Sequence, residues 1–144
     1  MSWIFLALFT AFCYGAYNFF IKVSSGHIDQ VVGAVVMQGV AFLFGLALLA
    51  VSKSVSFSDG LITTRGVWYA VAAGVFVGLA EVLSFFVFSK GLSISIGLPV
   101  IIGGSIVFGV LLGLLFLKEM ESFSFVHALG LVFVLLGVVL LASK

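Results

Sequence analysis

With 144 residues, of which 64% are hydrophobic and 8% charged, the chain departs far from a water-soluble domain, which carries about 25% charge, and its surroundings are read as lipid. Six Lys and Arg against five Asp and Glu leave a formal net charge of +1, so no basic face exists to neutralise a run of phosphates and nucleic-acid binding is excluded. Cys13 is the one cysteine, which excludes an intramolecular disulfide or a multi-cysteine metal site and leaves packing as its expected role.

A membrane-spanning helix needs about 20 mainly apolar residues. Five segments qualify: Trp3 to Ile21, Val31 to Val51, Val67 to Ser89, Ser95 to Leu117 and Phe125 to Ala142. The expected fold class is therefore an all-α polytopic membrane protein, with residues 1–144 forming one five-helix transmembrane domain. Barrel strands would alternate apolar and polar residues over about 10 positions, and the near-continuous apolar run from Phe125 to Leu141 does not. The first segment has no Lys or Arg ahead of Trp3 and is longer than a signal core, so it is expected to stay as helix one.

Span one carries Thr10, Tyr14, Asn18 and Lys22 at spacings of four, a polar stripe bordered by Tyr17. An amide in a bilayer must find partners, so Asn18 is expected to face protein or a wet cavity. Gln38 raises the same question in span two, with helix-to-helix hydrogen bonding ahead of ligand contact. In the following loop Asp59-Gly60 reads as a turn, and Thr63-Thr64 as a cap for span three.

Glu81 lies near the middle of span three, where a fixed charge costs about 2.5–3.5 kcal/mol on insertion scales. No basic residue falls at comparable depth in any span. A neutral carboxyl there can take up or release a proton as its hydration changes, so Glu81 is the expected proton or cation switch; the alternative is a protonated side chain holding a neighbouring helix. Gly74, Gly78, Glu81, Phe85 and Phe88 share one helix face, where the glycines permit close contact and the rings offer a wall that an organic cation could use. Ser84 is a weaker candidate on the same helix, and Ser105 another in span four, because a serine can bond back to its own backbone.

Span four places Pro99 in its early turns, where a missing amide is tolerated, and the pair Gly103-Gly104 marks either a bend or a close crossing. Gly109 and Gly113 add a small-residue pair. Glu119 and Glu121 beside Lys118 read as solvated loop residues or a helix cap. In span five, His127 near the start is an interfacial hydrogen-bonding residue, and Gly130 with Gly137 suggests a packing seam.

With Met1 on one side, five crossings put Lys53, Arg65 and Lys118 on that side and Lys22, Lys90 and Lys144 on the other. Orientation follows the Lys and Arg imbalance between short loops. Three against three gives almost no preference, and insertion in both orientations is expected, the alternative being an orientation decided by the free amino terminus or the first helix. Asn18, Gln38 and Glu81 all fall beyond their helix midpoints toward the Lys22 side, so two oppositely inserted copies would set two acidic sites astride the membrane midplane, an arrangement suited to alternating access.

No HExxH, GxSxG or Walker motif occurs, so no enzyme and no cofactor are expected. The run Tyr14-Gly15-Ala16-Tyr17-Asn18-Phe19, and Leu117-Lys118-Glu119 followed by Gly130 and Gly137, resemble the EamA-like branch of the drug/metabolite transporter superfamily. The chain departs from the usual pattern in having Tyr14 where Trp is common, and Ser105 and Ile106 where a proline is often found. The resemblance implies one half of a ten-helix inverted repeat in a bacterial or archaeal inner membrane, with spans one to four lining a cavity, span five bracing the assembly and Glu119 marking a helix end. The expected function is a small secondary transporter acting as an antiparallel homodimer in contact with membrane lipid. It would move a small metabolite or amphipathic cation, coupled to protons through Glu81, with Tyr14, Tyr17, Asn18, Gln38, Ser84 and Phe85 around the substrate. A non-transporting assembly subunit, or a flippase for lipid or lipid-linked substrate, is the alternative.

Overall fold

The computed structural model describes residues 2–51, 63–118 and 123–143. The chain there is helical: α1 (Ser2–Ser24), α2 (Gln30–Val51), α3 (Thr64–Ser89), α4 (Ile94–Phe116) and α5 (Phe125–Ala142). All five are long and apolar enough to cross a membrane, and no strand occurs among the described residues. The helices sit within three residues of the expected spans. Lys53, the Asp59-Gly60 turn, Glu119, Glu121 and Lys144 lie outside the described residues.

The helix ends are set by local chemistry. Thr63 precedes α3 in an extended conformation and its hydroxyl accepts from the Gly66 amide at 3.1 Å, as the Thr doublet suggested. Asp29 does the same for α2, its Oδ1 accepting from the amides of Val31 and Val32 at 3.0 and 3.2 Å. At α5 the third helical position, where Glu or Gln usually reaches back, is His127, whose Nδ1 accepts from the Ser124 amide at 3.0 Å. Gly91, with φ of +88°, takes the left-handed conformation that closes α3, its amide donating to the Phe88 carbonyl.

By contacts the chain divides into two compact units, Met1–Gly91 and Leu92–Lys144. In the first, α3 packs against both α1 and α2. Its buried side chains belong to the last turns of α1 (Asn18, Ile21), the turn after it (Ser25), the first turns of α2 (Ala34) and the last three turns of α3 (Glu81, Ser84, Phe85, Phe88). The other ends of these helices are sheathed in exposed apolar residues such as Phe5, Phe44 and Phe76, as expected of a surface that meets lipid or another chain. Cys13 is also exposed, so it is not part of this buried cluster.

Close approach is made at glycine. A Cβ on Gly33 would stand 2.7 Å from Phe85 Cε1 and 3.1 Å from Ile28 Cγ2, so α2 meets α3 where its side chain is missing. In the second unit, α4 runs unbroken past Pro99 and packs on α5. Gly103 is the contact point, since a Cβ there would overlap the side chain of Val138, whereas Gly104 has nothing within 4 Å. The Gly103-Gly104 pair is thus a close crossing at Gly103. A Cβ added at Gly130 or Gly137 would meet nothing within 4 Å, so neither is a point of close helix approach among the described residues.

Gly103→Ala is expected to lower stability by about 1–3 kcal/mol through overpacking, read from unfolding of the purified protein in mixed micelles. Adding Val138→Ala should recover most of that loss, because the two positions share one contact.

Candidate functional site

Glu81 is 8% exposed. Its Oε1 accepts a hydrogen bond of 3.1 Å from the Tyr17 hydroxyl of α1, while its Oε2 is buried without a hydrogen-bond partner among the described residues. A buried acceptor left unpaired costs about 1–3 kcal/mol. The carboxyl is therefore held at Oε1, while Oε2 is enclosed without a donor among the described residues.

Tyr17 and Asn18 reach the α1–α3 seam from consecutive positions of α1. Asn18 is 1% exposed and its Nδ2 donates to the Tyr14 carbonyl at 2.8 Å, so the amide finds its partner in its own helix. The rings of Tyr14 and Tyr17 meet edge to face with centroids 5.5 Å apart. Tyr14 is 54% exposed and leaves the helix cluster on the outside. One turn further along α1, the Lys22 Nζ donates to the Phe88 carbonyl at 3.0 Å and lies 6.0 Å from the centroid of the Phe88 ring. That carbonyl belongs to the C-terminal end of α3, where a cation is favoured.

On α3, the Ser84 hydroxyl donates to the Ala80 carbonyl at 2.8 Å, which occupies its proton and leaves its oxygen able to accept. Phe85 is buried against Gly33, and Phe88 beneath Lys22, so both rings pack within the unit. Gln38 of α2 lies over Gly78, its Oε1 3.3 Å from where a Cβ would stand. The expected residues thus collect on three helices: Tyr17 and Asn18 from α1, Gln38 from α2, and Glu81, Ser84 and Phe85 from α3. Tyr14 joins them through Tyr17. Thr10, at the far end of the polar stripe, bonds back to the Leu6 carbonyl and stands apart.

A cavity of about 390 Å³ opens beside this cluster, and its wall includes Tyr17, Ile21, Gly33, Val36, Met37 and Phe85. Two of the expected residues, Tyr17 and Phe85, are in that wall. No group of His, Cys, Asp and Glu suited to a metal ion occurs among the described residues. The sequence places Tyr17 only at the border of the polar stripe, and it gives no sign of Lys22 on the Phe88 carbonyl, since that acceptor is backbone and carries no signal in residue type. Asp29, just ahead of an apolar run, does carry a recognisable cap signal.

Tyr17→Phe keeps the ring and removes the hydroxyl from Oε1. It is expected to lower stability by about 1–3 kcal/mol in mixed-micelle unfolding, whereas Tyr14→Phe, on the exposed side, should stay within about 0.5 kcal/mol.

Among curated proteins and solved structures, none matches the chain. Residues 1–143 do match a family described as the EamA-like transporter family. Five apolar helices fit a half-size member of the drug/metabolite transporter superfamily, and the extent of the match settles the affiliation: the chain belongs to the EamA-like transporter family.

Proposed function

We propose that the chain is a small secondary transporter that moves a small metabolite or amphipathic cation by alternating access, with proton movement coupled through Glu81. Membership of a family of transporters supports transport of small solutes across a membrane. The observation that carries the coupling is the Glu81 carboxyl: it is buried in an apolar span, held by Tyr17 at Oε1 and unpaired at Oε2. An intramembrane acid without a counter-ion marks a pathway or a proton relay by default. A proton and a substrate cation competing for one carboxyl exchange in turn, and that competition is the coupling. Tyr14, Tyr17, Asn18, Gln38, Ser84 and Phe85 shape the surroundings of that carboxyl.

The working form is an antiparallel homodimer. Two observations support a second copy: α5 has no buried residue in the chain by itself, and the Tyr14 edge of the site is exposed. Balanced Lys and Arg make insertion in both orientations accessible, and two inverted five-helix units reproduce the inverted repeat common in transporters.

In proteoliposomes under a pH gradient, with a panel of labelled metabolites and organic cations, Glu81→Gln is expected to lower gradient-driven uptake at least tenfold. Undiminished uptake would remove Glu81 from the coupling. Reporters fused after Lys144 should give signal on both sides of the membrane, and signal from one side alone would rule out the dual-orientation dimer.

A further inference from the structure

A groove of about 410 Å³ lies between α4 and α5 in the second unit. Its sides are hydrocarbon, with Ile106 and Val110 supplied by α4 and Leu131 and Val134 by α5. At one end stand Phe123 and His127, with ring centroids 6.0 Å apart. These two residues flank the start of α5, so this end of the groove lies at the membrane surface. Counted inward from the end of α4 to Ile106, and from His127 to Val134, the wall runs roughly 10–15 Å at 1.5 Å per residue. One leaflet of hydrocarbon is about 15 Å deep, so the groove covers most of a single leaflet.

His127 is the one polar side chain in this wall. Its Nδ1 accepts from the Ser124 amide at 3.0 Å, completing the cap of α5. A ring nitrogen that accepts holds no hydrogen, so the neutral imidazole carries its hydrogen on Nε2. That Nε2 donates to no acceptor among the described residues. The cavity beside α1 is of similar size, about 390 Å³, but the polar groups of its wall are engaged: the Tyr17 hydroxyl on Glu81 and the Ser24 hydroxyl on the Ile21 carbonyl. Of the two, the α4–α5 groove is the one with a free donor at its mouth.

We propose that the α4–α5 groove binds one acyl chain of a glycerophospholipid, whose ester carbonyl accepts a hydrogen bond from His127 Nε2. This site is independent of Glu81 and of the transport reading. Spread over about 15 Å, the groove has a section of roughly 30 Å², against roughly 80 Å² for a helix of 10 Å diameter. It therefore takes a single hydrocarbon chain and not a helix of a second copy. An acyl ester presents its groups in the order of the wall, an acceptor at the top of the hydrocarbon and methylenes below it. The phosphate of the same lipid lies outside the hydrocarbon, whereas His127 is already the third residue of α5. An ether-linked chain has the same hydrocarbon and no carbonyl, and leaves Nε2 without that partner.

The test places the full chain in nanodiscs of equal amounts of a diester and a diether phosphatidylcholine, each with a diazirine at the same position of one chain, and maps photoadducts by mass spectrometry. On residues 106–110 and 126–134 the diester adduct should exceed the diether adduct at least threefold, the worth of one hydrogen bond. On Phe5, Phe9 and Phe12, exposed along α1, the two should agree within twofold. His127→Glu keeps an acceptor for the Ser124 amide and removes the donor, so the groove ratio should fall below twofold; its added charge acts on both lipids alike and cancels in the ratio. Gly130→Leu should lower groove adducts of both lipids at least threefold, since a Cβ there meets nothing within 4 Å and the new side chain has open space to fill. Val110→Trp is the second filling variant should the first not fold. A groove ratio below threefold in the unaltered chain, a ratio that survives His127→Glu, or undiminished adducts in a folded, filled variant overturns the proposal. So does a groove without adducts while α1 carries them, the result expected if protein fills it.

Discussion

A carboxyl group in a bilayer is an energetic liability that the rest of the first unit is arranged around. Inserting the charged form costs about 2.5–3.5 kcal/mol, and the single bond from Tyr17 offsets about 1–3 kcal/mol of that at most. Stability alone does not explain Glu81. Its neighbours satisfy themselves by other means: Asn18 bonds to the Tyr14 carbonyl and Ser84 to the Ala80 carbonyl. Polar groups around the acid are thereby quieted by their own backbones, and Oε2 is the buried side-chain atom left without a partner among the described residues.

Helices in lipid gain little from hiding apolar surface from one another, because lipid tails are as apolar as Leu. Contact has to come from shape. The structure meets this with missing side chains: Gly33 receives Phe85, Gly78 receives Gln38, and Gly103 receives Val138. Each glycine is matched by a larger side chain from the facing helix. At most of the other glycines an added Cβ would meet nothing within 4 Å, so spacing alone does not distinguish a close contact from an open face.

This separates what was readable in the sequence from what was not. The five spans were legible because a bilayer demands uninterrupted apolar length and a water-soluble fold does not tolerate it five times over, and the Thr63 cap because a hydroxyl ahead of an apolar run has a defined acceptor role. Glu81 stood out by its cost. The identity of its partner did not, because Tyr14, Tyr17 and Asn18 all approach the same side of α1, and which one reaches α3 depends on the rotation of the two helices. Periodicity fixes that rotation when one face is apolar and the other polar. It fails when nearly every face is apolar. The same uniformity hid whether Phe85 and Phe88 face a ligand or their own core. The cap at His127 was hidden because a ring nitrogen replaces the usual Glu or Gln at that position.

The one-sided burial in the first unit has a mechanical consequence. The buried side chains gather within a few turns of one end of α1, α2 and α3, so a tilt of α3 would pivot about that end. The stretch of α3 from Thr64 to Ala80 then forms a lever arm of roughly 25 Å at 1.5 Å per residue. Turning it by about 5° about that pivot sweeps its far tip through roughly 2 Å, close to half the spacing of a helical turn. A tilt of α3 triggered by one side chain changing its seat beside Glu81 would be largest at the opposite membrane surface.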